Sequence, residues 1–147
     1  MAASTPGESD LAKLIGALEP VLREGEYVFV TLPPEDERYS RVDRKDVQME
    51  FREEEGTTFI LNKKVCDEKY PGVFSYSYVS AWITLTVHSS LEAVGLTASF
   101  ASALAKQGIS ANVVAAYYHD HVFVGVEDKD RAVATLKRLS QEARASA

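Results

Sequence analysis

Apolar residues recur along this chain with two periods, and the change between them marks the elements. Leu11, Leu14, Ile15 and Leu18 fall at i, i+3, i+4 and i+7, one buried stripe of a helix. Ser9 or Asp10 is placed to cap that helix, and Pro20 and Gly25 follow its end. Tyr27 to Leu32 is a β-branched and aromatic run stopped by Pro33-Pro34, the pattern of a buried strand. Residues 35–46 are polar and read as loop. Val47, Met49 and Phe51 alternate with polar neighbours as a half-exposed strand does. Gly56 turns the chain into a further strand, Thr57 to Leu61. Asn62 caps a short helical turn through Glu68, which Pro71-Gly72 breaks.

The second half is cleaner. Phe74 to Val87 is strand-rich, with Ile83, Leu85 and Val87 on one face and Trp82, Thr84 and Thr86 on the other. A helix follows Gly95, carries Leu96, Phe100 and Leu104 on one stripe, and stops at Gly108. Asn112 to Tyr118 reads as a strand, His119-Asp120-His121 as a turn and Val122 to Val126 as the returning strand. Asp128 or Asp130 opens a last helix with the stripe Ala132, Val133, Leu136 and Leu139. This strand–helix–strand–strand–helix series is a ferredoxin-like βαββαβ unit without its last strand. The first half reads as the same unit without its first strand. The two defects are complementary, so the expected fold is α+β, two fused ferredoxin-like subdomains with antiparallel sheets that share or exchange edge strands. The expected boundaries are a tail at 1–8, subdomains at 9–73 and 74–141, and a tail at 142–147.

Composition narrows the function. The 147 residues carry a net charge of −6, against the basic footprint that nucleic acid or an anionic membrane requires. One cysteine, Cys66, rules out an internal disulfide, and its neighbours Asp67 and Glu68 disfavour a reactive thiolate. The first nine residues have neither the basic nor the apolar segment of a secretion signal, and no stretch reaches membrane-spanning length, so a cytoplasmic protein is expected.

The segment Ser89-Ser90-Leu91-Glu92-Ala93-Val94-Gly95-Leu96-Thr97, the helix ending Leu104-Ala105-Lys106-Gln107-Gly108-Ile109-Ser110, and the hairpin from Val113 to Val124 together resemble the ACT domain pattern. In that pattern a loop ending Gly-Leu starts the helix and Gly-Ile leads into the second strand. The likeness covers about Ser80 to Leu139, and extends to small stand-alone tandem ACT proteins similar to the ACT repeats of cytosolic arginine sensors. One position departs: Val94 stands where most ACT loops have proline. The resemblance implies a non-catalytic regulatory or sensor protein that binds a small ligand, above all an amino acid, at a subdomain or subunit interface. It also implies a possible homodimer and, since no catalytic domain is evident, a regulated enzyme or other protein as partner.

The residues suggest where such a ligand would sit. The end of the first strand, the 89–97 loop and the hairpin turn fall at one end of a βαββαβ sheet. Free amides at a helix N-terminus suit a carboxylate. Glu92 and Asp120 suit an ammonium group. Ser89, Ser90 and Thr97 add hydroxyls, His119 borders the turn, Val94 and Leu96 complete the loop, and Gly95 permits close approach to the backbone. Structural roles compete with each: Ser90 and Thr97 can cap the helix, Glu92 can favour its positive end, and Gly95 and Gly108 can serve as turn residues. No cofactor is expected.

Two alternatives remain open. The first is an interaction module without a ligand. The second is a metal-binding protein or enzyme built on His88, His119 and His121, although their spacing lacks the helical i, i+4 pair of a metalloprotease. A Ser–His–Asp triad from Ser89 or Ser90, His119 and Asp120 is disfavoured because adjacent strand residues point to opposite faces. Tyr76, Tyr78, Trp82, Tyr117 and Tyr118 read as sheet packing, or as the lining of an interface.

Overall fold

The computed structural model describes residues 8–87 and 94–146, with side chains from Asp10 onward. The elements are α1 (Glu8–Ala17), β1 (Glu19–Leu22), β2 (Tyr27–Leu32), β3 (Val47–Glu53), β4 (Gly56–Asn62), α2 (Lys63–Lys69), β5 (Val79–Thr86), α3 (Leu96–Lys106), β6 (Ala111–Ala115), β7 (Asp120–Gly125) and α4 (Lys129–Ala145). They form two compact units, residues 24–81 and residues 1–23 with 82–147.

In the 24–81 unit the strand order is β3-β4-β2-β5. β2 pairs antiparallel with β4, from Tyr27 opposite Asn62 to Leu32 opposite Thr57, and meets the start of β5 at Val79 and Ser80. Two 3-10 turns, Glu37–Arg41 and Arg44–Asp46, stand where a ferredoxin-like unit has its first helix. Asp36 and Asp43 start them by accepting from the amides of Arg38 and Lys45. The Asp36 carboxylate also takes the Arg38 guanidinium, whose hydrogen bond pulls its pKa down to about 2. Asn62 caps α2 as its sequence position predicts, accepting from the Val65 amide at 3.2 Å. The core gathers Val28, Val30, Leu32, Phe59, Leu61, Cys66 and Tyr70. Burial raises the Cys66 thiol pKa, and Asp67 raises it further, so this cysteine packs rather than reacts.

The second unit has the strand order β1-β5-β7-β6. Here β1 occupies the place of the missing last strand, pairing antiparallel with β5 from Glu19 opposite Thr86 to Leu22 opposite Ile83. The expectation of a borrowed edge strand is met, and β5 supplies residues to both units. The reading of the first half needs correction. That unit's first strand is present as β2, and its first helix is what the 3-10 turns replace. β1 escaped the sequence pattern because it is short and contains Pro20. Such a residue suits an edge strand, where no outer neighbour asks for its amide.

α3 packs on β6 and α4 on β1 and β7, with α1 against both helices, and the sheet residues Ile83, Leu85, Val122 and Val124 are fully buried. Leu96, Phe100 and Leu104 form the buried stripe of α3, as their spacing predicts. Gly108 adopts φ +71° just past the helix. There the amides of Gly108 and Ile109 reach back to the carbonyls of Ala105 and Leu104, at 2.9 and 3.0 Å, which is a Schellman stop. α1 is fastened at its C-terminus: the Gly16 carbonyl accepts from Ser140 Oγ at 2.9 Å and Arg144 Nη1 at 2.7 Å. Its N-terminus lies at Glu8, so Ser9 and Asp10, read as caps, fall inside the first turn.

Candidate functional site

Trp82 stacks on Phe123, while Thr84 reaches His121 at 3.1 Å. β5 and β7 therefore run in opposite directions, and the end of β5 comes alongside the β6–β7 hairpin. That hairpin turns at Ala116–His119, closed by the Ala116 amide on the His119 carbonyl at 3.0 Å. The turn expected at His119-Asp120-His121 lies earlier, because β6 ends at Ala115 and β7 begins at Asp120. Tyr117 and Tyr118 imitate strand residues in sequence, yet they form the tip and stand 78% and 70% exposed. For these two the sheet-packing reading is overturned.

Of the expected site residues, Ser89, Ser90 and Glu92 lie outside the described residues, as does His88. Val94 is 70% exposed at the loop's end and Thr97 is exposed on the first turn of α3. Leu96 points into the core. Gly95 is the N-cap of α3 at φ +95°, with no side chain to satisfy the first-turn amides. Leu11 of α1 crowds it, since a Cβ at Gly95 would lie 3.0 Å from Leu11 Cδ2. Glycine there has a structural reason independent of any ligand.

Asp120 opens β7 opposite Ala115. Its carboxyl has no hydrogen bond or ion pair among the described residues, and burial raises its pKa above the usual carboxylate value, partly countered by His121. His119 is half-buried, and its Nδ1 is enclosed without a hydrogen-bond partner. Among the described residues no hydrogen bond links Val94–Thr97 to His119 or Asp120. The alternation along β7 turns Asp120 to the side of Val122, and His119 and His121 to the side of Phe123.

A polar group on that second side went unseen in the sequence. His121 Nδ1 accepts from the Trp82 indole at 2.9 Å, and Arg23 Nε donates to Thr84 Oγ1 at 2.9 Å. The Arg23 guanidinium also lies 5.5 Å from the Trp82 ring centre. Only the pairing register brings these residues together, so no motif announces them. Among the described residues no three histidine, cysteine or acidic groups converge to hold a metal, and His121 Nδ1 is already engaged. No helix among them is long and apolar enough to cross a membrane.

Two ferredoxin-like units in one chain, one completed by a strand from the other end of the sequence, define a tandem α+β protein. ACT domain models match residues 6–80 and 77–138, and the chain belongs to the ACT domain family. No curated protein sequence matches. Among solved structures, a Vibrio cholerae protein of unknown function, described as a possible transport protein, is 40% identical. It aligns with a TM-score of 0.76 over 90% of this chain and 97% of its own. The regulatory subunit of aspartate kinase from Thermus thermophilus shares the fold at 11% identity and a TM-score of 0.60, over 84% of this chain and 97% of its own. Aspartokinase III from E. coli, in complex with aspartate and ADP, aligns at 14% identity and a TM-score of 0.59, over 82% of this chain and 32% of its own.

Proposed function

We propose that this protein is a non-catalytic, cytoplasmic sensor or regulatory subunit that binds an amino acid at the α3 end of its second unit. ACT domains are regulatory modules, and the fold is shared with aspartate kinase regulatory chains. The observation that carries the ligand is the pairing of two unmet electrostatic demands. Among the described residues the N-terminus of α3 is capped by a glycine without side-chain help, and Asp120 is a half-buried carboxyl with no ion-pair partner. A zwitterion answers both, its carboxylate toward helix amides and its ammonium toward Asp120. Ser89, Ser90, Glu92, Val94, Gly95, Leu96, Thr97 and His119 complete the proposed site, which a second copy of the chain would help enclose. The regulated partner is another protein, with neither nucleic acid nor membrane engaged.

Exposed Tyr117, Tyr118 and Val94 favour a second reading, an interaction module that binds a protein at this end and no small ligand. Thermal unfolding against the free amino acids separates the two. A ligand at a hundred times its dissociation constant adds about 2.7 kcal/mol. That raises Tm by roughly 5–10 °C for a chain of this size. A shift confined to one or two amino acids supports the sensor. A flat panel rejects it in favour of the interaction module.

A further inference from the structure

We infer that His121 is a proton-sensitive latch that ties the end of β1 to β7 across β5. The chain of contacts crosses three strands: Arg23, next after β1, donates Nε to Thr84 Oγ1, and Thr84 in turn meets His121 Nδ1 at 3.1 Å. The Trp82 indole N–H donates to the same Nδ1 at 2.9 Å. An indole nitrogen can only donate, so this nitrogen must be bare and the neutral imidazole must carry its proton on Nε2. Nδ1 has a single lone pair, so the Thr84 hydroxyl, which already accepts from Arg23 Nε, can only share it with the closer indole N–H. A proton on Nδ1 reverses this arrangement. It faces the indole N–H donor to donor, breaks that bond, and sets a second cation near Arg23.

Among the described residues the charged or titratable groups about His121 are Arg23 from the end of β1 and His119 and Asp120 from β7 itself; β5 presents Trp82 and Thr84, and β6 presents Val114 opposite. Burial, His119 and Arg23 all lower the imidazole's pKa, and Asp120 alone opposes them. The latch is therefore closed at neutral pH and strained in acid. The Arg23 amide, bonded to the Trp82 carbonyl at 2.8 Å, is the part of β1's end that opening releases first.

Trp82 is the only tryptophan, so its fluorescence reads the latch directly. Emission is followed from pH 8 to 5 in the wild type and in His121→Gln, whose amide oxygen can accept the indole proton but does not titrate. The expected result is a one-proton quenching transition centred below pH 6.5, absent in the variant. Hydrogen exchange adds a second reading: after correction for intrinsic rates, opening at the Arg23 amide grows up to about tenfold per pH unit below 6.5 until the closed form itself titrates. Nitrogen NMR of the wild type covers the case in which the variant does not fold, with Nε2 protonated and Nδ1 bare at pH 7.5. Flat emission, an unchanged transition in His121→Gln, or a proton on Nδ1 at pH 7.5 overturns the latch.

Discussion

Removing the Ser140 hydroxyl tests how α1 is held to its unit. Ser140 is almost fully buried on α4, and its Oγ donates to the buried Gly16 carbonyl at 2.9 Å. Arg144 Nη1 donates to the same carbonyl and also to Ser140 Oγ, at 2.7 and 2.9 Å. Either side chain alone keeps the carbonyl satisfied. Ser140→Ala should therefore cost only about 1 kcal/mol, the net worth of its bond to the carbonyl, because the exposed Arg144 can exchange its bond to Oγ for one to water. Arg144→Ala should cost a similar amount, since the guanidinium is partly solvated and its loss leaves Ser140 in place. The double variant strips a buried helix end of both side-chain donors, which adds a desolvation penalty of about 1–3 kcal/mol. Its total should exceed the sum of the singles by about 1 kcal/mol, the coupling expected of groups that share an acceptor. In Tm this is roughly 2–4 °C for each single and about 10 °C for the double. Urea unfolding of the four proteins measures the cycle, and hydrogen exchange should show lost protection in α1. Strict additivity, or unchanged α1 protection in the double variant, would refute the account of how the first helix is fastened.

Three further substitutions probe the site and the other unit. Gly95→Ala should destabilise the unliganded protein by about 1–2 kcal/mol, from a left-handed backbone and the crowding by Leu11, with Leu11→Ala relieving only the crowding. A loss seen only in the presence of an amino acid would make Gly95 a ligand contact alone. Asp120→Asn should act in opposite directions on stability and binding. Because burial holds the Asp120 pKa above 3.8, its effect on stability is most favourable below that pH and declines as pH rises through the folded value. The asparagine should raise Tm at pH 7 and abolish the amino-acid response, and a lowered Tm would contradict the burial argument. Tyr70→Phe should cost about 1–2 kcal/mol, since the phenol accepts from the Asp43 amide at 2.9 Å and donates to Asp46 at 2.6 Å. Asp46 is held below 3.8 by Lys69 and then Tyr70, a contribution present above pH 3.8 and lost as pH falls through the folded value. The acid slope of stability should therefore become shallower in Tyr70→Phe, as pH-dependent urea melts would show.

Local signals in the sequence were sufficient for most elements. The α3 stripe, the Gly108 stop and the Asn62 cap each follow from residues within a few positions of one another. What depends on distant pairing was not legible. Nothing near Glu19-Pro20-Val21-Leu22 says that it completes a sheet whose other strands begin beyond residue 78. The bond from Trp82 to His121 likewise exists only once the β5–β7 register is fixed. The hairpin tip was misplaced because Tyr117 and Tyr118 carry strand propensity while serving as exposed turn residues. For the site, sequence could name the helix start and Asp120 but not their state, since the glycine cap of α3 and the half-burial of the carboxyl are properties of packing.

The central claim, an amino acid bound between the α3 N-terminus and Asp120, is tested most directly by calorimetric titration of the free amino acids into the wild type and Asp120→Asn. The account predicts saturable heat with at least one amino acid for the wild type and none for the variant, although the variant is folded and more stable. Equal binding by the two proteins, or no heat with any amino acid, would contradict it.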